Sequence, residues 1–189
     1  MSHAPALLIP ALWGAWLAYW VAAAFAAKAV ARRESRGSRL THIVPLVAGG
    51  VLLAAPTMPG WLGQRMFAPD AALEAGAAAL VALGLGFAVW ARIALGGNWS
   101  GTVTLKHDHT IVRSGPYRRI RHPIYTGLLL AIAGTALARG EWRGLVALLL
   151  VLVALLRKIG LEERWLGEHF GTAYADYRAA SWALVPYLY

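Results

Sequence analysis

The chain has 189 residues, of which 59% are hydrophobic and only 14% charged, with a mean hydropathy of +0.54. A soluble domain usually carries about 25% charged residues, so this composition excludes an ordinary water-covered surface and points to a multi-pass integral membrane protein. Cysteine is absent, which excludes disulfides, thiolate metal sites and a thiol nucleophile. The net charge of +9 is read as basic residues gathered on the cytoplasmic side beside anionic headgroups, and no nucleic-acid partner is inferred from it.

The first apolar block runs from about Ala6 to Ala27 and is rich in Trp and Ala. It lacks a basic n-region, is too long for a signal-peptide core, and matches the roughly 20 residues of a spanning helix. A basic loop, Arg32 to Arg39, follows. The second block, Ile43 to about Leu62, holds Pro45 near its start, while Pro56 and Pro59 are expected to end or kink it. The third block, Ala71 to Leu95, carries Glu74 near its outer end, an interfacial position, and Gly76, Gly84 and Gly86, which permit close helix approach.

The stretch from Gly96 to Arg121 is too polar to span a bilayer and long for a connector, the mark of a functional segment. A fourth helix is expected from His122-Pro123 to about Ala138, then a tight turn at Arg139 to Arg143. The fifth is apolar from Gly144 to Leu156 and amphipathic past Glu162-Glu163 towards Phe170. Helices four and five then form a hairpin, and Trp142 with snorkelling Arg157 and Lys158 extends a short apolar stretch. Of the 18 basic residues, only Arg65, Arg139 and Arg143 fall on the far side. The positive-inside rule therefore puts the N-terminus outside and the tail in the cytoplasm. The expectation is an all-α membrane fold over 1–189: one domain, five transmembrane helices and a cytoplasmic site, in a bacterial inner membrane.

Chemistry concentrates on that cytoplasmic rim. The segment from His109 reads H-T-I-V-R-S-G-P-Y-R-R-I-R-H-P-I-Y-T-G, ending at Gly127. Pro123 is pre-set for a helix start, and the N–H groups of that start form an anion site. Tyr125 follows His122 by three residues, so both share a face. Gly127, Ala131 and Gly134 form a smooth strip on which helix five is expected to pack. Helix five returns Glu162 and Glu163 beside His122; simple interfacial anchoring, with Lys158–Glu162 as a surface pair, explains the same residues without chemistry.

The pattern R-H-P-x-Y-x-G at Arg121 to Gly127, then Glu162-Glu163, then Phe170-Gly171-x-x-Tyr174-x-x-Tyr177, resembles the isoprenylcysteine carboxyl methyltransferases and the related phospholipid methyltransferases. The resemblance covers Gly96 to Tyr177 and implies S-adenosylmethionine as methyl donor. It implies cofactor contacts at His109, Thr110, Ile111, Val112, Tyr117, His122, Pro123, Ile124, Tyr125, Glu162 and the adjoining Glu163. It places a basic residue for the acceptor carboxylate just before the Glu pair, at Lys158 or Arg157. An amine acceptor would instead need a base, Glu163 or His122. Gly160 stands where relatives often have a basic residue, and Tyr177-Arg178 is followed by Ala179-Ala180-Ser181-Trp182-Ala183; both differences bear on the acceptor. The implied partner is a lipid-like acceptor in the bilayer.

Two other readings are open. Steroid 5-alpha-reductase-like enzymes share the C-terminal layout and use NADPH, but Ile124 occupies the place of their Asn. A non-enzymatic membrane scaffold would have no use for His122, Tyr125 and Glu162 together. Asn98-Trp99-Ser100 is a sequon on the cytoplasmic side and so without meaning. His107-Asp108-His109 lacks a third clear ligand, and no metal is expected.

Overall fold

Helix boundaries follow the local chemistry of the chain. The computed structural model describes residues 4–25, 30–100, 103–106 and 110–189, with side chains at 7–25, 34–100, 103 and 110–189. Helix α1 spans Ala4–Ala24. Strand β1, Val30–Arg33, follows and pairs antiparallel with β2, Thr104–Lys106, a small sheet that the all-α expectation did not contain. The basic loop expected at Arg32 to Arg39 is therefore part strand and part helix.

Helix α2 spans Arg36–Ala54, beginning about two turns before Ile43. The reason is Ser35, a strong capping residue, whose hydroxyl accepts the Ser38 N–H at 3.2 Å. Pro45 thus lies inside the helix rather than at its start, and the helix ends just before Pro56, as that proline was expected to make it do. A 3-10 turn at Gly60–Gly63 leads to α3, Ala71–Leu95. Asp70 caps α3 by accepting the Leu73 N–H at 2.7 Å.

Further 3-10 turns occupy Gly96–Asn98 and Gly115–Arg118. Helix α4, Pro123–Arg139, ends on Gly140 in the left-handed region, φ 62°, a backbone shape that favours glycine. Helix α5 runs unbroken over Trp142–Phe170, 29 residues, and α6 over Thr172–Ala179.

Glycine decides which helices touch. A Cβ at Gly127 would lie 2.5 Å from the Gly84 carbonyl oxygen, and one at Gly134 would lie 2.7 Å from the Ala77 carbonyl oxygen. The strip on α4 is therefore pressed against α3, not against α5 as expected, because α3 brings its own Gly84 to the contact. On its other side α4 meets α5 where Gly144 approaches Ala136, while Gly49 of α2 approaches Ala147 of α5. The tightest core lies along these seams, at Val81, Ala88, Ala131 and Ala147. Helix α1 packs chiefly on α3.

Buried arginines tie the helix ends. Arg92 donates to the carbonyls of Ala23 and Gly96 at 2.6 and 2.7 Å, and Arg143 donates to that of Ala55 at 2.7 Å; each offsets the negative end of helix dipoles. Four helices are long and apolar enough to cross a membrane, with windows at Leu7–Ala24, Arg36–Ala54, Ala71–Asn98 and Trp142–Phe170; α4 is apolar but shorter. Their outward Leu, Val and Trp side chains, such as Leu17, Val47, Leu83 and Val153, are exposed, as a lipid-facing surface requires.

Candidate active site

The first turn of α4 and the middle of α5 put their polar side chains into one cluster. His122 lies flat on Tyr125, centroids 5.5 Å apart, as the three-residue spacing predicts. The Tyr125 hydroxyl donates to the Glu162 carboxylate, 2.8 and 3.0 Å from its two oxygens. The imidazole of His122 sits between two carboxylates, Nδ1 3.5 Å from Glu162 and Nε2 3.2 Å from Glu163. Lys158 is one turn before Glu162; its Nζ lies 4.0 Å from Glu162 Oε1 and 5.3 Å from the Tyr125 ring centre.

A cavity of about 270 Å³ opens on this cluster. Of the expected residues, Thr110, Ile111, Val112, Tyr117, His122, Ile124, Tyr125, Lys158 and Glu162 line it. His109, with the rest of His107-Asp108-His109, lies outside the described residues. Pro123 is behind the wall, setting the first turn. Glu163 also faces away from the cavity: it accepts from Arg121 Nε at 2.7 Å and approaches Arg178 Nε at 3.4 Å. Arg157 is exposed and donates to the Thr41 hydroxyl on α2. One residue along the helix, Lys158 is buried against the cavity.

Several wall residues carry no signal in the R-H-P or Glu-Glu motifs. Trp16, Trp20 and Trp99 form an aromatic side; Trp16 stacks on Trp20 at 4.5 Å, and Trp20 meets Trp99 edge-on at 5.6 Å. The spacing of Trp13, Trp16 and Trp20 along one helix face was the available clue. Asn98 has a structural part: its amide donates to the Thr110 hydroxyl at 3.1 Å, and both residues line the cavity. The C-terminal segment is a clamp, since Arg121 and His122 donate their N–H groups to the carbonyls of Trp182 and Ala183 at 2.8 and 3.0 Å. Tyr125 and Thr126 give theirs to the His122 carbonyl and Pro123 has none, which narrows the expected anion site to the Ile124 N–H.

Three tyrosines close the polar end. The Tyr177 hydroxyl donates to the Tyr117 carbonyl at 2.6 Å. Burial pushes the hydroxyls of Tyr117 and Tyr174 above the usual phenol range and that of Tyr177 up to about 12, so all three are protonated at neutral pH. The Tyr174 hydroxyl is buried with no partner among the described residues and its side chain lines the cavity.

A second, larger cavity of about 980 Å³ adjoins the first. Its wall is mostly apolar, from Ile9 and Trp13 of α1, Leu46 and Leu53 of α2, Leu128 and Ile132 of α4 and Val151 of α5. Trp16, Leu46, Leu128 and Leu155 line both cavities.

The smaller cavity thus offers a carboxylate, the buried phenol donor of Tyr174 and flat aromatic faces. That set fits S-adenosylmethionine, which presents hydroxyls, an ammonium and a sulfonium to be held. The phospholipid methyltransferase family model matches residues 73–173, just over half of the chain. The chain belongs to the phospholipid methyltransferase family. This membership places it among enzymes that transfer methyl groups and favours that expectation over the NADPH-using reductases and the idle scaffold. The protein-S-isoprenylcysteine O-methyltransferase of Schizosaccharomyces pombe is 33% identical to it over 91 residues, 47% of this chain. The chain spans about two fifths of the length of that relative.

Proposed function

We propose that this phospholipid-methyltransferase family member is an S-adenosylmethionine-dependent enzyme that methylates a lipid-borne carboxylate of isoprenylcysteine type. The observation that carries the reading is the meeting of two cavities, one ringed by His122, Tyr125, Lys158 and Glu162, the other walled mainly by aliphatic side chains of α1, α2, α4 and α5. A methyl acceptor with a charged head and an apolar tail has a place for each part.

S-adenosylmethionine supplies a methyl group on a positively charged sulfur. Glu162, held by Tyr125, would accept hydrogen bonds from the cofactor's hydroxyls or ammonium, and the ring of Tyr117 would offer a face to its flat or cationic part. A carboxylate acceptor is already ionised at neutral pH, so no residue has to take a proton from it. The protein's task is alignment and exclusion of water. Lys158 is the cation for the acceptor carboxylate; Arg157 points away and serves as an interfacial anchor.

An amine acceptor of phospholipid type is the second reading, favoured by the family whose model matches the chain; an amine must lose a proton, and Glu162 is the carboxylate on the cavity wall that would take it. We further propose five crossings, with α4 and α5 as a membrane hairpin and the site on the cytoplasmic side. Helix α4 is short, but its terminal Gly140 accepts from Met66 at 2.7 Å, beside the loop joining α2 to α3.

Isothermal titration of purified protein with S-adenosylhomocysteine tests the core of this proposal. Micromolar-range binding is expected, and Glu162→Gln is expected to weaken it roughly tenfold, as loss of a charge-assisted hydrogen bond does. Absence of heat with the wild-type protein, together with a response to NADPH, would reject the reading.

A further inference from the structure

The larger cavity has a direction. At one end it shares the aliphatic side chains of Leu46, Leu128 and Leu155 with the smaller cavity. Its other end is walled by Ala54 of α2, Glu74 of α3 and Arg139 of α4. From Leu128 to Arg139 helix α4 rises about 16 Å, and from Leu46 to Ala54 helix α2 rises about 12 Å. A hydrocarbon chain starting at the shared leucines is therefore in apolar surroundings until it nears the two charged side chains, which it gains nothing by passing.

Helix α2 forms one side of this path. Leu46, Gly50, Leu53 and Ala54 line the cavity, and spacings of three and four put them on one face of the helix. The other faces are otherwise occupied. Val44, Val47 and Val51 are exposed on the lipid side, and Gly49 is pressed against Ala147 of α5. Gly50 lies at the middle of the cavity face, one turn from Leu46 and one turn from Ala54. A Cβ there would meet no heavy atom within 4 Å. Glycine inside a helix is unfavourable, and at this position no packed neighbour demands it, unlike at Gly49. What its missing side chain provides is room in the cavity.

We propose that Gly50 determines which acceptor tails this protein holds, the second isoprene unit of the tail crossing Gly50 and the third reaching Ala54. This rests on the isoprenylcysteine reading above and adds tail length to it. An extended isoprene unit covers about 5 Å, being built from C–C bonds of about 1.5 Å, and a helix turn covers about 5.4 Å. Successive units then fall beside successive turns of α2, counted from Leu46. Gly50 and Ala54 line the larger cavity and not the smaller one, so substitution there acts on the tail and leaves the cofactor's contacts in place.

The test uses full-length protein with S-adenosylhomocysteine bound and two probes, N-acetyl-S-geranylcysteine and N-acetyl-S-farnesylcysteine, which share a head and differ by one isoprene unit. Equilibrium binding of each is measured for wild type, Gly50→Phe and Ala54→Phe. Gly50→Phe is expected to weaken both probes roughly tenfold or more, because the ring takes the space of the second unit. Ala54→Phe is expected to weaken the farnesyl probe to a similar degree and to leave the geranyl probe within about twofold. Affinity for S-adenosylhomocysteine is expected to stay within about twofold in both variants, which also shows that they fold. If Gly50→Phe does not fold, Gly50→Leu, a better helix former, replaces it. A Gly50 variant that binds the farnesyl probe as tightly as wild type would overturn the assignment, since the tail then leaves the cavity sideways. So would an Ala54→Phe protein that loses both probes alike. Wild-type protein that binds S-adenosylhomocysteine and neither probe would remove the isoprenylcysteine acceptor and this tail path with it. Wild-type protein that binds no S-adenosylhomocysteine would overturn the methyltransferase reading itself, a failure distinct from any pattern among the variants.

Discussion

Successive residues on an α-helix point about 100° apart, and α5 uses this twice within a few residues. Arg157 faces outward to Thr41 while Lys158 is buried on the cavity. Glu162 faces the cavity with Tyr125 while Glu163 turns to Arg121 and Arg178. Each adjacent pair looks alike in sequence, with the same charge and the same distance from the membrane, yet holds two jobs. The consequence for Lys158 and Arg157 is direct. With a carboxylate acceptor, Lys158→Ala is expected to lower turnover about 10- to 100-fold with S-adenosylhomocysteine affinity nearly unchanged. Arg157→Ala is expected to leave both within about twofold, as for most exposed positions. Initial-rate kinetics beside titration separates the two, and an equal loss in both variants would return the acceptor role to the pair.

At the scale of elements, the site depends on how closely α3 and α4 approach. Helix α4 carries His122 and Tyr125 at its first turn, so a shift of α4 moves the wall of the candidate site. A Cβ at Gly127 would meet the Gly84 carbonyl oxygen at 2.5 Å and the Ala88 nitrogen at 2.8 Å, whereas one at Gly76, on α3, has no heavy atom within 4 Å. Gly127→Val is therefore expected to cost about 1–3 kcal/mol by overpacking and to weaken S-adenosylhomocysteine binding. Gly76→Ala is expected to be neutral or slightly stabilising. Thermal denaturation in detergent reads the first effect, and a Gly127→Val protein as stable as Gly76→Ala would contradict the packing argument. The sequence made the small-residue strip visible but not its partner, because a glycine run says that something comes close and not what. Helix α3 and the start of α4 were legible to the residue, since Asp70 and Pro123 are local signals. The early start of α2 was readable in Ser35 but masked by the charges around it. The clamp of residues 182–183 on the start of α4 was not readable at all, being made of backbone hydrogen bonds between segments about 60 residues apart.

For the whole molecule the remaining question is which way the bundle faces. The ends of α1 and α3 meet where Arg92 bonds Ala23 and Gly96, and the cofactor-type cavity opens at that end. The opposite end is joined where Arg143 bonds Ala55 and where Trp142 donates to the Gln64 carbonyl at 3.2 Å. Basic residues divide unevenly between these ends, with only Arg65, Arg139 and Arg143 of 18 at the second. Charges near short loops set orientation, and the proposed topology accordingly turns the cavity end to the cytoplasm. The absence of cysteine makes this easy to check, because a single introduced thiol is the only one to react. Gln64→Cys, at an exposed position of the far loop, is expected to react with a membrane-impermeant maleimide in intact cells. Ala179→Cys, exposed on α6, is expected to react only after the membrane is opened. The reverse pattern would invert the bundle and put the cavity on the side where the cytoplasmic pool of S-adenosylmethionine is absent, in which case the proposed chemistry would fail along with the topology.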